Sequence, residues 1–251
     1  MKKSRMADGF KAFAGKEITN TTTPNTSNIP KAMDHSIESS RNIVQELLPA
    51  NQYVGEHTSK NAIVLHHTAG GSADSSIAWW KQSSDRVGTH FIIDRDGTVK
   101  QVVPLTDWIY HLYVASKGNK IPARFKRIGS TYDKHTIGIE LASYGPLTQK
   151  DGKFYNVYNK EVLAVEKLDK GHKGYIYYEA YTPAQIKSLK VLLESLMNVF
   201  GIPRQDHIEK IFDINDDALQ QRPGIYTHVS YRTDKFDCYP SKALIEMLKS
   251  L

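Results

Sequence analysis

The chain has 251 residues, 40% hydrophobic and 24% charged, the composition of a folded domain rather than of a wholly disordered or collagen-like chain. No window holds ~18 consecutive apolar residues, which argues against membrane insertion, and the lone cysteine, Cys238, can form no internal disulfide. The net charge of +6 suits polyanionic partners, but no run of Lys and Arg concentrates it and no helix-turn-helix or zinc-finger spacing occurs, so nucleic acid is not expected.

The start, "MKKSRMADGFKAFAG", has a basic head without the apolar stretch of a signal peptide. Synthesis in the cytoplasm without a signal peptide is the expectation, with any export by another route. Residues 16–40 are rich in Thr, Asn, Ser and Pro and poor in large apolar side chains, too little to offset the entropy of ordering. Residues 1–48 are therefore read as a tail or linker, with room for a short helix around "SRNIVQELL". The folded domain is expected over 49–251.

Within that domain, "NAIVL" is a short buried strand, since its apolar residues follow one another without helical spacing. "SSIAWWKQSSD" suits a brief helix. "THFIIDRDGTVKQVV" is a hairpin signal with Asp96-Gly97 at its turn, and "TIGIELA" is a further strand. Residues 150–180, rich in Tyr and Lys, read as an extended polar insertion.

The strongest helix pattern is "TPAQIKSLKVLLESLMNVFG". Thr182 can cap it with Gln185 completing a capping box, Pro183 suits its first turn and Gly201 can end it. Ile186, Leu189, Leu192, Leu193, Leu196 and Phe200 recur at helical spacing and form its core face. A last helix begins near Ser241. Strands with interspersed helices predict a single α/β domain around a central mixed sheet.

Ten histidines are present, and their positions separate them. In "AIVLHHTAG" a buried strand runs into His66 and His67, where a rigid backbone can aim a ligand. A second group, "YTHVSYRTDKFDCYP", holds His228, Lys235, Asp237 and Cys238 within a short stretch. Zinc accepts imidazole nitrogen, carboxylate oxygen or thiolate, and a catalytic site keeps three protein ligands. Two histidines with either Asp237 or Cys238 would complete such a set.

Taken in order, "VLHHTAG", "THFIIDRDGTVKQVVP", "TIGIELASYG" and the C-terminal His–Lys–Asp group resemble the zinc-dependent N-acetylmuramoyl-L-alanine amidases. That family includes phage lysozyme-amidases, recycling amidases and peptidoglycan recognition proteins. The likeness covers roughly residues 60–145 and 182–248. It implies a Zn²⁺ ion held by His66, His228 and Asp237, with Cys238 as the alternative third ligand. Asp237 is favoured because the family places a catalytic Lys two residues before that ligand, and "KFD" puts Lys235 there.

The resemblance also implies Glu140 as general base, since Thr89 stands where some relatives carry a Tyr. His90 and His111 fall at positions bordering the substrate groove, and with Thr89 and His67 they are the expected substrate-side residues. The implied activity is hydrolysis of the amide between N-acetylmuramic acid and L-alanine in peptidoglycan, by a monomeric phage endolysin or other wall-lytic enzyme. The alternative is a non-catalytic peptidoglycan-binding module.

Overall fold

The computed structural model describes residues 43–113, 121–122, 125 and 130–251. Residues 1–42, most of the expected tail, lie outside the described residues.

Six strands form the central sheet: β1 (Ile43–Gln45), β2 (Ala62–His67), β3 (Phe91–Ile93), β4 (Val99–Gln101), β5 (Thr136–Leu141) and β10 (Gly224–Thr227), in the order β1-β4-β3-β5-β2-β10. Only the β3–β4 hairpin is antiparallel, so the sheet is mixed. Every residue of β2 is buried. An unbroken apolar run of this kind marks a parallel strand covered on both faces.

Helices α1 (Ala73–Gln82), α2 (Thr131–Lys134), α3 (Pro183–Phe200), α4 (Asp216–Leu219), α5 (His228–Tyr231) and α6 (Lys242–Lys249) accompany the sheet. Thr182 caps α3 through a reciprocal box with Gln185, and Gly201 ends it in the left-handed region at φ 64°. Leu189, Leu192, Leu193 and Leu196 are buried on its core face, while Ile186 and Phe200 pack at its margin. The β3–β4 turn docks on the start of α3. Gly97 has φ +88°, and a Cβ there would stand 2.9 Å from the Ala184 carbonyl oxygen, so glycine is required on two counts.

Two segments differ from the sequence reading. Where a short helix was expected around "SRNIVQELL", residues 43–45 are the edge strand β1, parallel to β4. The ladder continues from Glu46 N–H to Gln101 and from Leu48 N–H to Val102, and Leu48 is buried. Adjacent β-branched Ile43 and Val44 favour that pairing over a helix. The central sheet thus starts six residues before the expected domain start at 49.

The polar insertion is a second sheet: β6 (Pro146–Lys150), β7 (Lys153–Tyr155), β8 (Val165–His172) and β9 (Tyr175–Glu179), all antiparallel, in the order β7-β6-β9-β8. Among the described residues, no helix is long and apolar enough to cross a membrane.

Candidate metal centre and active site

Successive side chains of a strand point to opposite faces, so His66 and His67 at the end of β2 diverge. His66 pairs in register with Glu140 of β5, which places these two side chains on one face of the sheet. His228 opens α5 directly after β10, the strand on the other side of β2. The loop after α5 returns so that Val229 N–H donates to the Asp237 carbonyl at 3.2 Å, bringing the Asp237 carboxylate to the same place.

His66 Nδ1 lies 3.0 Å from His228 Nδ1 and 3.2 Å from Asp237 Oδ2, and the third side, His228 Nδ1 to Asp237 Oδ2, is 3.0 Å. All three residues are buried. His228 Nε2 faces the Leu112 carbonyl oxygen at 3.2 Å. A carbonyl only accepts, so the ring proton sits on Nε2 and the Nδ1 lone pair points into the cluster.

Burial pushes His228 down to about 3, keeping its imidazole neutral. Lone pair and carboxylate facing each other at 3.0 Å repel unless a cation lies between them. The edge lengths are also close to the roughly 3.3 Å of a tetrahedral centre with bonds of about 2.0 Å. The donor set therefore fits a metal ion.

Glu140 and Lys235 flank this cluster. Burial raises Glu140 well above its ordinary value, with Asp237 adding to the rise and Lys235 opposing it, and its Oε2 is a buried oxygen with no hydrogen-bond partner. Burial lowers Lys235, against the pull of Asp237 and Glu140. A carboxyl whose hold on a proton is strengthened by burial, beside an amine whose hold is weakened by it, is suited to proton transfer and to charge stabilisation.

The remaining expected residues separate by environment. His111 Nδ1 lies 3.0 Å from His66 Nε2, and burial pushes His111 well below its ordinary value, so it is neutral. His67 turns away: its Nδ1 lies 3.1 Å from the Tyr181 hydroxyl, its ring borders Phe236, and burial lowers it to about 4. Gly145, at φ +71°, makes room for that ring, since a Cβ would stand 2.5 Å from His67 Nε2. His90 is fully buried, with Nδ1 accepting from Gly138 N–H and Nε2 donating to the Asp107 carbonyl.

Thr89 donates to the Phe91 carbonyl at 2.8 Å and is also buried. Cys238 sits in the hydrophobic core, hydrogen-bonded with Tyr181, and burial raises its thiol well above the ordinary value. Asp237 is the member of that pair that joins the two histidines. Sequence patterns do not point to the Leu112 carbonyl or to Tyr181: a main-chain acceptor carries no residue signature, and Tyr181 is one of 14 tyrosines.

A family model described as N-acetylmuramoyl-L-alanine amidase matches residues 56–238, well over half of the chain and continuous through the second sheet. The chain belongs to that family. It is an amidase, a hydrolase that acts on the amide bond between N-acetylmuramic acid and L-alanine in peptidoglycan.

Among solved structures, the amidase is similar to PlyL at 14% identity, with 82% of this chain and 96% of that one covered and a TM-score of 0.46. It is similar to a mutant endolysin from Bacillus subtilis at 17% identity, with 83% and 97% covered and a TM-score of 0.47. It is also similar to the N-acetylmuramoyl-L-alanine amidase LysC from Clostridium intestinale at 16% identity, with 84% and 97% covered and a TM-score of 0.43. No curated protein matches the amidase. The assignment to the family rests on the family model alone.

Proposed function

We propose that the amidase is a zinc enzyme whose ion is held by His66 Nδ1, His228 Nδ1 and Asp237 Oδ2. The observation that carries this reading is the convergence of three donor atoms within 3.0–3.2 Å of one another. When bound, Zn²⁺ supplies Lewis-acid polarisation of the scissile carbonyl and acidifies the attacking water.

The protein's own groups do the rest. Glu140, on the His66 face of the sheet, takes the proton from the water and delivers it to the leaving L-alanine nitrogen. Lys235 offers its ammonium to the oxyanion that develops on the carbonyl oxygen; loss of one such donor typically costs on the order of 100-fold or more in rate. A non-catalytic binding module would need none of these acid–base groups. Their placement beside the donor cluster favours catalysis by this chain.

The muramic acid and stem-peptide portions of the wall are then the substrate. The net charge of +6 suits an anionic wall and supports a setting as an endolysin or other lytic enzyme. One digestion tests the reading: purified peptidoglycan is treated with the protein, with and without a chelator, and the fragments are identified by mass spectrometry. Free stem peptides beginning with L-alanine, released only without chelator and restored by Zn²⁺, are expected. Chelator-insensitive release would overturn the zinc assignment, and cut glycan strands would overturn the bond assignment.

A further inference from the structure

The sequence "TIGIE" of β5 presents Thr136, Gly138 and Glu140 at alternate positions on the face that also carries His66. Glu140 has a chemical role in the reading above. The other two meet His111. A Cβ at Gly138 would stand 3.0 Å from His111 Cγ and 2.9 Å from Thr89 Cγ2, so the missing side chain opens the space the imidazole occupies. Two residues back, Thr136 Oγ1 lies 2.8 Å from His111 Nε2.

The direction of each hydrogen follows from the end of this chain. Thr136 donates its only hydroxyl proton to the Tyr132 carbonyl at 2.7 Å, so towards His111 it can only accept. His111 Nε2 must therefore carry the ring proton. In the neutral ring Nδ1 is then the acceptor, and the hydrogen on the 3.0 Å contact belongs to His66 Nε2. A neutral His66 with its proton on Nε2 exposes a lone pair at Nδ1, the atom that faces His228 and Asp237.

The same segment serves the second imidazole. The Leu112 carbonyl receives His228 Nε2–H, and Asp133 Oδ1 holds the segment by accepting the main-chain N–H groups of His111 and Leu112, both at 2.8 Å.

We propose that Thr136 and His111 are positioning residues for the metal centre: a hydrogen-bond relay from the Tyr132 carbonyl through both side chains fixes the tautomer and ring orientation that make His66 Nδ1 a ligand. This rests on the reading of His66, His228 and Asp237 as a metal site. Partners of this kind typically change metal affinity by 10- to 100-fold when removed.

The test measures Zn²⁺ affinity of the metal-free full chain by competition with a chromophoric chelator. Thr136→Val keeps the shape but removes the acceptor, and should weaken binding 10- to 100-fold. Thr136→Ser, which keeps the hydroxyl, should bind within about 3-fold of the wild type. His111→Phe keeps a ring without nitrogens and should weaken binding at least as much as Thr136→Val. The double variant should be no weaker than His111→Phe alone, because both changes cut one relay.

Melting temperatures of the metal-free variants within a few degrees of the wild type separate a lost relay from a lost fold. Wild-type affinity in Thr136→Val, or additive losses in the double variant, would overturn the relay. Failure of the wild type itself to bind Zn²⁺ would overturn the metal site beneath it, an outcome recognisable without any variant.

Discussion

In the central sheet β2 buries all six of its residues and β5 five of its six; in the second sheet, six of the eight residues of β8 are exposed or half-buried. The position of β5 that is not fully buried is Glu140. In these two inner strands, then, the one departure from full burial falls on a candidate catalytic group, because a carboxyl at that depth needs a compensating role. In the small sheet the same departure marks only a face turned to water.

The inner side of the small sheet nevertheless reaches the site. Tyr178 of β9 stacks on Tyr239 at 4.3 Å between ring centroids, and the Tyr239 hydroxyl donates to Glu166 of β8 at 2.9 Å. Tyr239 follows Asp237 by two residues, so the second sheet braces the loop that carries the third donor.

The sharpest test of this contrast is Glu140→Gln. It preserves shape and removes the base, so turnover should fall by about 10²- to 10⁴-fold while bound metal, measured by atomic absorption, stays at the wild-type level. Near-normal turnover would return Glu140 to the status of a structural carboxyl. Next comes Ile63→Ala in β2. Ile63 is wholly buried, and the cavity left behind should cost about 2–5 kcal/mol in denaturant unfolding. A loss under ~1 kcal/mol would mean that the two sheets are not so different in packing as their burial implies.

A pH effect sharpens the comparison just ahead of β2. Lys60 is buried, its ammonium donating to the Lys134 carbonyl at 2.8 Å and to the Thr58 hydroxyl at 3.1 Å, and burial lowers it to about 7. The unfolded chain keeps this proton up to its ordinary value near 10.5. Between those values the unfolded state binds more protons than the folded one, so stability rises with pH, by at most about 1.4 kcal/mol per unit. The contribution is lost again as pH falls through about 7.

Lys60→Met should abolish the rise between pH 7 and 9. It should also leave the protein as stable as the wild type or more so at pH 6, because Thr58 still donates to the Lys134 carbonyl. Equal slopes in the two proteins would show that another group titrates there.

How far the sequence discloses this arrangement depends on whether a signal is local. Thr182, Gln185 and Gly201 announce the limits of α3 because caps are made by neighbours in sequence. His66 is legible at the end of a buried strand, and His228 with Asp237 from their shared short stretch. Residues 43–45 are not legible as a strand, because three residues beside a polar segment do not reveal pairing with β4 more than 50 residues away.

The second sheet was hidden for a related reason. Its exposed positions mimic the composition of a loop, and Tyr178 and Tyr239 come together only in the folded chain. His111 was placed beside the substrate by resemblance, but its hydrogen bonds to His66 and Thr136 depend on the open space at Gly138. No spacing rule encodes such a gap.

The smallest expected effect lies on the outer side of the small sheet's connections. Leu163 is 87% exposed, so its side chain gains little by folding. Leu163→Ser should change unfolding free energy by no more than about 0.5 kcal/mol, the range of surface substitutions that touch no cap, cavity or buried polar group. Wall digestion by this variant measures something that stability does not. If rate and stability both hold, the exposed side of this region is a solvated surface, and the sheet serves the site through Tyr178 and Glu166 on its inner side. If stability holds while digestion of intact walls falls several-fold and cleavage of soluble fragments does not, Leu163 contacts the polymer, and the division between a chemical sheet and a bracing sheet breaks at that residue.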